Sequence, residues 1–151
     1  MYLRSHRSRR TGVTMVEGAI VYPVALMFTL GLMVFGLGAY CYQQVAALAR
    51  EGARYASVHG GQYAADQKKS LTTSTDVYNN AILPNAAGLN TSKLKLKSVT
   101  YADSGQMPTY TSGGKKTTNT VTVTVTYDWS PEAFLGGTIT LTSTSVMTIS
   151  Y

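Results

Sequence analysis

Few side chains in this sequence have the type and spacing to do chemistry, and Glu17 is the first of them. It stands immediately before an uncharged run from Gly18 to Tyr42. A carboxylate in hydrocarbon costs about 2.5–3.5 kcal/mol on insertion scales, so Glu17 either lies in the lipid headgroup layer or meets a partner. The other candidates fall away. His6 and His59 flank the apolar run on opposite sides, and no Ser or Cys is spaced to use either as a base. Asp128 and Glu132 bracket Trp129-Ser130-Pro131 without the His, Cys or further oxygen donors of a metal cage, so they read as turn residues. Gly113-Gly114-Lys115 reads as a turn rather than a phosphate loop. These patterns predict no catalysis, no cofactor, no metal and no small-molecule substrate.

The element that must position Glu17 is the run itself. Its 25 residues, Gly18 to Tyr42, at about 1.5 Å each exceed a hydrocarbon layer of roughly 30 Å, which predicts a transmembrane helix. Pro23 lies near its start, as a simple kink or as a packing position where neighbouring helices satisfy the freed carbonyl. Arg4, Arg7, Arg9 and Arg10 precede the run with no acid among them, which places the N-terminus in the cytoplasm and the bulk of the chain outside. The same arginines dominate the formal charge of +6: from Val13 onward nine Lys or Arg face seven Asp or Glu, and a nucleic-acid role loses its footing. An ordinary secretory signal has a shorter apolar core with its cleavage site after it; here the notable junction comes before. Cys41, the single cysteine, reads as a small apolar filler at the outer end of the run, with intermolecular pairing or modification as the alternative.

That junction, Arg9-Arg10-Thr11-Gly12-Val13-Thr14-Met15-Val16-Glu17, resembles those of type IV prepilins: a basic leader ending in glycine, glutamate as the fifth residue after it, then a long apolar helix. Pro23, Val34-Phe35-Gly36, Tyr40, Gln43-Gln44 and the run Ala49-Arg50-Glu51-Gly52-Ala53-Arg54-Tyr55-Ala56 narrow the resemblance to the TadE-like minor pilins, or pseudopilins, of tight-adherence pilus systems. It is strong over residues 9–58 and holds only in outline beyond. Gly18 stands where a larger apolar residue is common, and Val34 where many relatives carry an acid. The resemblance implies a minor pilin or pseudopilin that takes part in pilus assembly, cut by a prepilin peptidase between Gly12 and Val13. It also implies that Glu17 of one subunit neutralises the freed amine of Val13 on a neighbour. Pro23 is the second assembly position, and Arg50, Glu51, Gly52 and Arg54 form the helix motif. The implied partners are membrane lipid, the peptidase, other pilins and tight-adherence assembly proteins. The implied place is the bacterial inner membrane, with the surface pilus as a further destination. An uncleaved single-pass scaffold of a secretion or pilus machine is the alternative.

Beyond the run, helical spacing continues from Gln43 to Val58, with Val45, Leu48, Gly52 and Tyr55 on one stripe and Gln44, Glu51 and Ser57 elsewhere. Arg50 and Arg54 form an exposed basic i,i+4 pair. His59-Gly60-Gly61 predicts a glycine cap in the left-handed conformation. A short helix is expected through Val77, Tyr78, Ala81, Ile82 and Leu83, capped by Ser74 or Thr75 and stopped by Pro84. Three strands follow: Leu94 to Tyr101 with Lys93, Lys95 and Lys97 outward and a bulge between Leu96 and Val99; Thr120 to Tyr127 with Val121, Val123, Val125 and Tyr127 inward; and Thr138 to Tyr151 with Ile139, Leu141, Met147, Ile149 and Tyr151 on one face. The last two pair as neighbours. Residues 102–119 form a long exposed loop, where Tyr101 and Tyr110 serve adhesion or merely decorate an insertion. The fold class is α+β: a 1–12 leader, a long helix over 13–59, and an exported domain over 60–151 with a short helix and an antiparallel sheet of about three strands.

Overall fold

A computed structural model describes residues 10–102, 119–131 and 136–150. Leader residues 1–9, Tyr110, Gly113-Gly114-Lys115, Glu132 and Tyr151 lie outside the described residues. The chain divides into two compact units, Met1–Leu37 and Gly38–Tyr151.

Helix α1 runs from Arg10 to Val58. Within the first unit its side chains have no core to enter: Ile20, Met27, Phe28 and Phe35 are all well exposed. The most apolar window of Gly12–Val58 has a mean hydropathy of 2.2 and is 0% buried, which sets it apart from the core helix of a soluble protein. A helix satisfies its own backbone, so this one is long and apolar enough to cross a bilayer. The first turn of α1 takes in Arg10 to Val13.

In the second unit the last part of α1 packs on a three-stranded antiparallel sheet of order β1-β2-β3. Strands β1 (Leu94–Tyr101), β2 (Thr120–Trp129) and β3 (Ile139–Thr148) follow α2 (Gly61–Asp66) and α3 (Ser74–Val77). A π turn (Tyr78–Ile82) and a 3-10 turn containing Pro84 (Leu83–Asn85) carry the chain on from α3. Central β2 alternates as its sequence dictates: Val121, Val123 and Val125 are fully buried and Tyr127 nearly so. Full burial of each such valine contributes about 1.5–3 kcal/mol. The β1–β2 register shifts between Leu96 and Ser98, leaving exposed Lys97 as the bulged residue. Lys95 is outward too, while Lys93 lies half-buried in a 3-10 turn before the strand.

Several expectations change in detail. Gly60 has φ −81° and serves as the N-cap of α2, so α1 ends without a left-handed glycine; the chain turns directly into a second helix, which needs an extended residue there. The cap of α3 is Thr73, one residue before the expected Ser74 or Thr75, because only Thr73 has an acid at the third helical position: its Oγ1 accepts from Asp76 N while Asp76 accepts from Thr73 N. Ser57 is buried, since the end of β3 docks there and Ser150 N donates to Ser57 O at 3.0 Å. Asp128 and Trp129 belong to β2 rather than to a turn, and Asp128 accepts from Lys95 Nζ at 3.1 Å and Thr140 Oγ1 at 2.9 Å. Ile139 is 49% exposed because it lies at the sheet corner opposite Trp129, beyond the core. Tyr101 is half-buried and donates to Thr72 O at 3.3 Å, so it is a packing residue rather than an adhesive loop tip. Burial also pushes its phenol upward from the ordinary value.

Candidate functional site

Gly12, Val13, Val16 and Glu17 line one shallow open groove on the first turns of α1. Glu17 follows Val13 by one i,i+4 step, so their side chains share a face. Both are exposed, and among the described residues Glu17 has no hydrogen-bond or ion-pair partner. Gly12 is equally open, with nothing within 4 Å of where a Cβ would stand. Gly18 has a local reason. The ring of Tyr22 crosses it, 3.1 Å from the place of a Cβ, so the larger side chain common there would displace the ring. Pro23 lies inside α1, where it lacks the N–H that would bond Ala19 O.

The run Ala49 to Ala56 resolves into two faces. Ala49, Gly52, Ala53 and Ala56 are buried. A Cβ on Gly52 would stand 3.2 Å from Val123 Cγ1 and 3.4 Å from both Ile82 Cδ1 and Val77 Cγ1. This stripe of small residues therefore lets the helix backbone approach β2 and α3 closely. Arg50 and Arg54 point to solvent, and Arg54 reaches Glu51 at 3.9 Å, which offsets the repulsion within the basic pair. The positions expected as a helix motif thus split: Gly52 packs, while Arg50, Glu51 and Arg54 are presented. Residues 12–54 match the family model described as TadE-like protein. The match likens this segment of the chain to TadE-like proteins. No curated protein and no solved structure matches the chain.

The TadE-like segment ends at Arg54, and what supports it lies mostly beyond the match. Three supporting features escaped the sequence reading. Tyr55 and His59 stack at 4.0 Å with Tyr63 edge-on at 4.6 Å, closing the end of α1. Their i,i+4 spacing carried the signal. Trp129 lies against Gly38, and Tyr40 against Gly88, at contacts between residues distant in sequence that no local pattern announces. Cys41 packs partly buried against the core, as a small filler does. Among the described residues no three of His, Cys, Asp and Glu gather as metal ligands.

Proposed function

We propose that the chain is a minor pilin or pseudopilin of a tight-adherence pilus, anchored in the inner membrane with its N-terminus in the cytoplasm. The observation that carries this reading is Glu17: an exposed carboxylate without a partner among the described residues, on the same face as Val13, at the edge of an apolar helix. Such a group favours a cation from another subunit, since the pair then shares the cost of leaving water. Hydrolysis of the Gly12–Val13 amide supplies that cation: water adds across the bond, Gly12 leaves as a carboxylate and Val13 keeps an ammonium. Glu17 of one subunit then meets the Val13 ammonium of its neighbour. Arg50, Glu51 and Arg54, presented on one exposed helical turn, offer charge to other pilins and assembly proteins.

The test is the N-terminus of protein isolated from a host carrying the prepilin peptidase. Mass spectrometry is expected to find Val13 first, with all four leader arginines gone, and sheared surface filaments are expected to contain the protein. Intact Met1 in both the membrane and filament pools would overturn processing and leave the uncleaved scaffold as the account.

A further inference from the structure

The uncharged run ends at Tyr42, but the second unit begins at Gly38. Five residues thus belong both to the apolar run and to the packed unit. Counted from Glu17, about 20 helical residues cross the roughly 30 Å hydrocarbon layer and reach Leu37, leaving Gly38 to Tyr42, about 7 Å of helix, for the headgroup layer. Parts of the second unit distant in sequence come to this same short stretch. A Cβ on Gly38 would stand 2.8 Å from Trp129 Cη2, and one on Gly88, at φ +79°, would stand 2.9 Å from Tyr40 Oη. Trp129 pairs across the sheet with Ile139, and Tyr40, Tyr42 and Ile139 are each about half exposed. The same strand ends also carry polar groups. Lys93 donates to Ser130 at 2.6 Å, and Lys95 pairs with Asp128, whose other oxygen accepts from Thr140.

A partly buried Trp with half-exposed Tyr rings beside it, at the end of an apolar helix, is the chemistry of a membrane–water boundary, where amphipathic rings sit among headgroups. We infer that this end of the sheet, Trp129 and Ile139 with Tyr40 and Tyr42 of α1, is a seat on the lipid headgroup layer. The inference rests on the membrane-spanning reading of the run. The seat explains why Gly38 is glycine: the Trp129 ring occupies the space a side chain would take.

Trp129 is the single tryptophan of the chain, so its own fluorescence reports the answer. The full chain is reconstituted in phosphatidylcholine–phosphatidylglycerol vesicles containing lipid brominated either near the carbonyls or near the chain ends, and incorporation is checked by flotation. Shallow bromine is expected to quench Trp129 more than deep bromine does, with iodide in the buffer quenching little. A comparison variant carries Val146→Trp in a Trp129→Phe background. Val146 is exposed and seven residues along β3 from Ile139, roughly 23 Å at strand rise. That probe is expected to respond to iodide and not to bromine. Floating protein whose Trp129 ignores both brominated lipids would overturn the seat: iodide quenching would then assign the surface to water, and protection from iodide to a second copy of the chain. Stronger quenching by deep bromine would also overturn it, by placing the ring in hydrocarbon. Protein that fails to float would remove the membrane-spanning reading and the seat together.

Discussion

Gly52 is a residue at which the TadE-like segment closely approaches the sheet, and its lack of a side chain is structural. Gly52→Leu would drive a branched chain into Val123, Ile82 and Val77, which stand 3.2–3.4 Å from the site of its Cβ. Overpacking of this kind costs about 1–3 kcal/mol, so the unfolding free energy from a denaturant series should fall by that amount and the midpoint should move to lower concentration. Gly36→Leu, where nothing lies within 4 Å, should leave unfolding of the second unit unchanged. Equal effects would show that Gly52 is not a packing constraint. Acid sensitivity belongs to the same scale. Hydrogen bonds from the Thr73 side chain and backbone hold the Asp76 carboxyl below its ordinary value, and bonds from Thr140 and Lys95 do the same for Asp128. A depressed carboxyl stabilises the fold above its unfolded pKa of about 3.9 and loses that contribution as pH falls through the folded value. Stability should therefore decline below about pH 4, and more shallowly in an Asp76→Asn, Asp128→Asn double variant, as thermal unfolding across a pH series would read. The spacing Thr73-Ser74-Thr75-Asp76 is that of a capping box, a signal the expectation of Ser74 or Thr75 passed over. The packing of Gly52 was not, because its contacts come from Val77, Ile82 and Val123, which no helical period connects to it.

At the scale of elements, legibility follows the range of the forces. Alternation of Thr and Val fixes β2 and its inward face locally, since a strand with one wet face must place its apolar residues every second position. The bulge at Lys97 was legible for the same reason: the change of phase between Leu96 and Val99 has no other remedy. Strand ends were harder. Trp129 extends β2 and Ile139 is left half exposed, because the core stops before the sheet does, and that limit is set by α1 rather than by the strands. The inward Ser143 and Ser145 of β3 also blurred its pattern, standing opposite Val125 and Val123 where bulk is already supplied. The faces give a paired prediction. Val123→Asp would bury an unpaired charge and should lower unfolding free energy by several kcal/mol or abolish folding. Thr122→Asp, on the outward face beside Val146 and Thr100, should change it by less than about 0.5 kcal/mol. Circular dichroism through a urea series on both variants decides this, and equal midpoints would reverse the assignment of faces.

For the whole molecule, the question is which steps use the chain alone and which use a second protein. The open surroundings of Gly12 and Glu17 separate these cleanly, because among the described residues nothing packs against either position. A Cβ at Gly12 meets nothing within 4 Å among the described residues, so a block in processing by Gly12→Leu would report the fit of a branched side chain in the peptidase. The uncut protein should then accumulate in membranes with its leader arginines, about 1.5 kDa heavier than the mature form by the mass of residues 1–12. Glu17→Gln tests the later step. Removing the charge makes insertion easier, so the variant should be cut and should enter the membrane normally, while filament assembly falls because the ammonium of Val13 finds no carboxylate on its neighbour. Glu17→Asp keeps the charge and should restore part of the assembly. Immunoblots of membranes and sheared filaments from the three strains read each step separately: cut and inserted Glu17→Gln protein with normal filament yield would remove the intersubunit pair while leaving processing intact.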